Sequence, residues 1–205
     1  IFLLALFILM YLSNILFLFV VLVACVYSFL EFSRMIKIIF KQNIVYQLML
    51  NVIFCLYAFF LSTLIVIMSI NPFSKMILFF IILVSVLSDI GGYIFGKILK
   101  GPKLTKISPN KTLAGSLGSI AFPTLIFLIF FRENSIFNQM AMNLLLIFVI
   151  SIFTQIGDII ISFLKRKSKI KDTGKLLPGH GGILDRIDGM LLGIPFGLIF
   201  IIIIS

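Results

Sequence analysis

Long apolar runs broken by short polar stretches set the reading of this chain. Ile1–Leu12 and Ile15–Leu30 flank the polar pair Ser13-Asn14. A polar stretch, Glu31–Asn43, separates them from Ile44–Ile70, which ends at Asn71-Pro72. The residue before a proline is disfavoured in helix, so a boundary is expected there. Met76–Ile98, Leu113–Phe131, Met140–Leu164 and Ile187–Ile204 follow, separated by polar stretches that include Arg132–Gln139 and Lys165–Arg186. A bilayer core about 30 Å thick takes ~20 mostly apolar residues per helical crossing. The pattern therefore predicts an all-α, polytopic membrane helix bundle of about seven spans, the first shortened. No internal repeat or linker interrupts it, so residues 1–205 are expected to form a single domain.

Composition agrees with this pattern and excludes a water-soluble fold. Of the 205 residues, 61% are hydrophobic and 12% charged, against roughly 25% charged in ordinary globular chains. Cys25 and Cys55 lie within apolar runs and match no metal or redox spacing. The chain opens at Ile1 without a Met or a basic n-region; it does not read as a signal peptide, and natural residues are expected to precede it.

The net charge of +10 could suggest nucleic acid until the charges are placed. Of 17 Lys and Arg, 15 fall within residues 31–43, 97–111 and 165–186, leaving Lys75 and Arg132 in the alternate loops. Alternation of this kind is what the positive-inside rule requires of one consistent topology. The three basic stretches are expected in the cytoplasm, with anionic ligands rather than nucleic acid as their partners.

The seven acidic residues narrow the chemistry. Glu31 and Glu133 stand at helix edges and are expected to be solvated. Asp89, Asp158, Asp172, Asp185 and Asp188 all lie in or beside the last two basic stretches. Asp89 and Asp158 precede Lys97 and Lys165 by 8 and 7 residues, on the order of 10 Å below the helix ends at ~1.5 Å per residue. Aspartates at such depth normally face a polar cavity and mark function. Asp185 and Asp188, at i and i+3, are expected on one face of a helix's first turn. Carboxylates among lysines suit an enzyme that holds both Mg²⁺ and a polyphosphate, since Mg²⁺ takes carboxylate oxygens and bridges to phosphate. Gly91-x₄-Gly96-Lys97 imitates a P-loop, but Ile98 replaces the required Ser/Thr and no strand precedes it. Gly189, Gly193 and Gly197 recur every four residues, a spacing explained by close helix packing.

Between Ser162 and Asp188 the chain carries Lys165-Arg166, Lys171-Asp172, Gly174, Pro178, His180-Gly181-Gly182 and Asp185-Arg186. This segment resembles the signature of CDP-diacylglycerol synthases (phosphatidate cytidylyltransferases). Residues 88–119 resemble the family's second block through Asp89, Gly91, Tyr93, Gly96-Lys97, Lys103-Leu104, Ser108-Pro109 and Lys111-Thr112. Two positions depart from that pattern: Ala114 stands where a Glu is frequent, and Ile90 follows Asp89 in place of a small polar residue.

The resemblance implies transfer of a cytidylyl group from CTP to phosphatidate, releasing pyrophosphate, at the cytoplasmic face of a bacterial-type inner membrane. It implies Asp158, Asp185 and Asp188 as ligands of Mg²⁺, with a second cation of unknown identity, and Lys165 and Arg166 beside them at the reacting phosphates. It implies substrate binding by Asp89, Ser108, Lys111, Thr112, Lys171, Asp172, Lys175, His180 and Arg186. Membrane lipids surround the site, and the oligomeric state stays open, a homodimer included. The alternatives are a related enzyme acting on an ether-lipid phosphate and a transporter or flippase, which would spread its acids across the bilayer.

Overall fold

A computed structural model of the chain describes residues 11, 13–104, 111–130, 136–174 and 181–204. They form seven helices: α1 (Asn14–Ile39), α2 (Ile44–Ile70), α3 (Pro72–Leu99), α4 (Leu113–Phe130), α5 (Met140–Lys167), α6 (Leu184–Ile187) and α7 (Met190–Ile204). No strand occurs among the described residues; Lys103 and Thr112 form an isolated antiparallel bridge. Six stretches are long and apolar enough to cross a membrane: α1 to α5, and Leu184–Ile204 taken together. The all-α polytopic expectation holds with six spans in place of about seven, because the run Ile1–Leu12 lies outside the described residues apart from Tyr11.

Local chemistry fixes the first three helix starts. Ser13 caps α1 by accepting from the Leu16 amide (3.4 Å), and Asn43 caps α2 by accepting from that of Tyr46 (3.2 Å); such caps satisfy amides that lack an intrahelical partner. Pro72 opens α3, where its missing N–H costs nothing. The span expected from Met76 therefore begins four residues earlier.

Three further boundaries differ from expectation. The polar stretch Glu31–Asn43 is not a loop as a whole, because α1 continues to Ile39. No Gly or Pro interrupts it, and Phe32, Met35 and Ile36 stay buried beyond Leu30. Helix α5 runs to Lys167, carrying Lys165 and Arg166 on its last turn. The last run is broken: α6 ends at Ile187, Asp188 and Gly189 form a turn, and α7 begins at Met190. Asp185 and Asp188 consequently do not share the first turn of one helix.

The chain divides into two compact units, residues 1–79 with 164–187 and residues 80–163 with 188–205. In the first, Phe17, Val21, Met35 and Ile36 of α1 are buried with Phe54 and Leu61 of α2, and the rings of Phe32 and Phe54 stack at 3.9 Å. The opposite side of α2 leaves Ile53, Leu56, Phe59 and Phe60 exposed, as a lipid-facing surface requires. Hydroxyls on this helix bond to its own carbonyls, Ser62 to Phe59 and Thr63 to Phe60, both at 2.8 Å. Hydrocarbon supplies no partner, so the helix supplies one.

The second unit is held by small residues. A β-carbon on Gly91 would lie 2.5 Å from the Gly118 carbonyl oxygen, and one on Gly115 would lie 2.8 Å from that of Gly92. Only bare backbone lets α3 and α4 approach so closely. The glycines of the P-loop imitation are thus packing residues within a helix. Gly189, Gly193 and Gly197 likewise meet Thr154, Ser85 and Ile150, which bears out their reading as contacts between helices.

Candidate active site

In the first unit the site is built around Asp185, on α6. Its Oδ2 accepts hydrogen bonds from the amides of Thr173 (2.8 Å) and Gly182 (3.0 Å) and lies 2.9 Å from the Thr173 hydroxyl. Its Oδ1 accepts from the Lys165 ammonium at 2.7 Å. The chain reaches this arrangement through Gly181, at φ +82°, where a β-carbon would also crowd Asp185 Oδ2 at 2.9 Å. Positive φ and close approach both demand glycine there. Asp172 lies beside the same turn, its Cβ 3.6 Å from that position.

Glu31 reaches this nest from α1. It is 4% exposed and accepts from the Thr173 hydroxyl (2.7 Å) and the amides of Ile183 (3.1 Å) and Leu184 (2.8 Å). The expectation that Glu31 is solvated is therefore wrong. Lying on a continuing helix rather than in a loop, it points into the first unit and serves donors at the start of α6. Its sequence neighbourhood, an acid before Arg34 and Lys37, imitates a solvated helix end, and no local pattern names partners so far downstream. Glu133 lies outside the described residues.

The second unit assembles a carboxylate site of its own around Asp158, on α5. Asp158 Oδ2 pairs with Lys111 Nζ at 2.5 Å, and its Oδ1 accepts from the Ser162 hydroxyl at 3.2 Å. Lys111 is presented by paired backbone: the Leu104 amide donates to the Lys111 carbonyl (2.7 Å) and the Leu113 amide to that of Pro102 (3.0 Å). Next to it, Thr112 caps α4, its hydroxyl accepting from the Gly115 amide at 3.0 Å. One turn on, the Ser116 hydroxyl donates to Gln155 Oε1 of α5 at 2.6 Å. Asp89, on α3, lies within electrostatic reach of Asp158 and Lys111. Asp188 approaches through its backbone: a β-carbon on Gly157 would lie 2.5 Å from the Asp188 carbonyl oxygen. The bare Gly157 thus lets the Asp188 main chain pass directly beside the residue that precedes Asp158.

Within the first unit the structure brings together Asp185, Lys165 and Asp172; within the second it brings together Asp158, Lys111, Thr112, Asp89 and Asp188. Arg166, Lys171 and Arg186 are exposed. Ser108, Lys175 and His180 lie outside the described residues. Sequence reasoning missed Glu31, Thr173 and Gln155 as site-building residues. Among the described residues no group of three or more His, Cys, Asp or Glu side chains stands ready to hold a metal. One oxygen of Asp158 and one of Asp185 each pair with a lysine ammonium instead, although carboxylate oxygens are of the kind that Mg²⁺ takes.

Comparison with known proteins gives this geometry its family. The profile of the cytidylyltransferase family matches residues 1–204. Over 123 residues the chain is 40% identical to a phosphatidate cytidylyltransferase of Helicobacter pylori (strain J99), covering 60% of this chain and 46% of that relative. It is 43% identical over 110 residues to one of Bacillus subtilis (strain 168), covering 53% and 41% respectively. For one of Rickettsia bellii the figures are 40% over 144 residues, with 65% and 61% covered. The chain spans about half the length of the first two relatives. The resemblance read between Ser162 and Asp188 is borne out at the level of the family: with its profile matched along residues 1–204, this chain belongs to the cytidylyltransferase family.

Proposed function

We propose that the protein is a phosphatidate cytidylyltransferase, joining CTP and phosphatidate into CDP-diacylglycerol and pyrophosphate. The observation that carries this reading is the pairing of acids with lysines at matching family positions, Lys111 with Asp158 and Lys165 with Asp185. A phosphatidate oxygen forms the new bond to the α-phosphorus of CTP while the bond from that phosphorus to the bridging oxygen of pyrophosphate breaks. Such transfers ask the protein chiefly for positioning and charge neutralisation.

Asp158, Asp185 and Asp188 are the residues that would hold Mg²⁺, which supplies neutralisation of phosphate charge when bound. Asp89 and Asp172 are weaker candidates for the same role. Lys165, Arg166, Lys171, Lys175 and Arg186 hold phosphate oxygens, and His180 either contacts phosphate or makes a structural hydrogen bond. Ser108, Lys111 and Thr112 bind the nucleotide or the lipid headgroup. The whole chain acts as one domain in the inner membrane, its basic stretches in the cytoplasm where CTP arrives, while phosphatidate enters laterally from the bilayer.

Purified protein in lipid micelles, given labelled CTP, is expected to convert phosphatidate to the CDP-lipid with one pyrophosphate released per product. Release of pyrophosphate without labelled lipid, or no turnover with any lipid phosphate, would overturn the proposal. Preference for an ether-lipid phosphate over phosphatidate would move the assignment to the related enzyme.

A further inference from the structure

Glu31 is a buried acid to which the proposed reaction gives no task. Burying a carboxylate is costly unless its oxygens are fully served, and here three donors serve it, none of them cationic. Two glycines make room for it: a β-carbon on Gly174 or on Gly182 would overlap the Glu31 carboxylate. One helix and two separate stretches of the 165–187 segment are therefore shaped around a single side chain.

The link from Glu31 to Asp185 is Thr173, 1% exposed. Its hydroxyl has one hydrogen to donate, yet lies 2.7 Å from Glu31 Oε2 and 2.9 Å from Asp185 Oδ2. The two carboxylates compete for that hydrogen. Asp185 Oδ2 also accepts from the amides of Thr173 and Gly182, so whatever holds Thr173 and the start of α6 in place sets its orientation. Oδ2 is thereby committed to the backbone, leaving Oδ1 as the oxygen that faces Lys165.

We infer that Glu31 is a positioning residue of the active site, acting through the Thr173 hydroxyl and the Ile183 and Leu184 amides to aim Asp185. Because it deepens the proposed cytidylyltransferase reading, it rests on that reading for its effect on turnover. Its effect on the fold around α6 stands apart and is measured separately. Glu31→Gln keeps the shape and places an amide NH₂ group against donors. Its kcat is expected to fall about 10- to 100-fold, the span for loss of a hydrogen bond to a charged group. The KM for CTP should change less than roughly threefold, because no CTP contact is removed. Thr173→Ser, which keeps the hydroxyl, should work as the parent does; Thr173→Val should lose about 10-fold. Hydrogen exchange should quicken in peptides covering residues 181–187 of Glu31→Gln and stay unchanged in α2.

A Glu31→Gln protein with parental kcat would overturn the inference. So would Thr173→Ser as impaired as Thr173→Val, or exchange that quickens through the whole chain. If the parent itself makes no CDP-lipid, the functional reading fails. Exchange then decides the anchoring alone: residues 181–187 freed in Glu31→Gln support it, and unchanged protection overturns it.

Discussion

Replacing Gly157 by alanine tests whether backbone contact sets the position of the carboxylates. The added β-carbon would stand 2.5 Å from the Asp188 carbonyl oxygen, 3.1 Å from that of Gly189 and 3.3 Å from Gly189 Cα. All three are main-chain atoms, so no rotamer change relieves the overlap. Ordinary contact begins near 3.4 Å, and the Asp188 peptide must therefore retreat by about 0.9 Å, the difference between 3.4 and 2.5. Overpacking of this kind costs roughly 1–3 kcal/mol; alanine's better helix propensity returns up to about 1 kcal/mol of it. Catalysis receives no such compensation, since a displacement of ~1 Å at the reacting groups can cost about 100-fold in rate.

Gly157→Ala is thus expected to lose at most about 3 kcal/mol of stability and about 10- to 100-fold in kcat. The assay is CDP-lipid formation from labelled CTP, with thermal unfolding followed in the same preparation. Gly92→Ala is the control, because its β-carbon would meet Ser119 Cβ and the Gly115 oxygen at 3.5 and 3.6 Å, ordinary contacts. It should keep its rate within about twofold and gain slightly in stability. Parental activity in Gly157→Ala, or an equal loss in Gly92→Ala, would refute the reasoning.

Two further outcomes are expected. Activity should vanish on chelation and return with Mg²⁺, and Asp158→Asn should abolish turnover while shifting stability by less than about 1 kcal/mol, its ion pair being partly exposed; full activity in excess EDTA would sink the metal assignment. In a background lacking Cys25 and Cys55, a cysteine at Lys41 should be labelled only from the cytoplasm and one at Asn134 only from the far side, the reverse pattern contradicting the topology.

Much of the helix pattern was legible because a bilayer imposes one simple requirement, some 20 apolar residues per crossing. Boundaries were less so. Ile1–Leu30 and its neighbours are read by hydropathy, but Arg34 and Lys37 extend α1 without breaking it, since long basic side chains are compatible with helix and reach toward the interface. The short α6 and the turn at Asp188 and Gly189 escaped because hydropathy averages over them. In the site, Asp158, Asp185 and Lys165 stood out as charges in an apolar chain. Glu31 was hidden for the opposite reason: it sits where a charge is unremarkable, and its meaning comes from Thr173 and Gly182, which are close to it only in the folded chain. Gln155, uncharged and mid-helix, offered no signal at all.

The distance along the chain between Glu31 and its partners also has a history in synthesis. Thr173 lies 142 residues downstream and Leu184 lies 153. At about 5–20 residues per second, a ribosome needs roughly 8–30 s to reach Leu184 after making Glu31. During that interval α1 is already synthesised while the donors that will enclose its carboxylate do not exist. The nest can close only once the 165–187 segment has been made, which makes its closure a late event in biogenesis. A chain truncated before Thr173 would be left with an acid lacking all three of these partners.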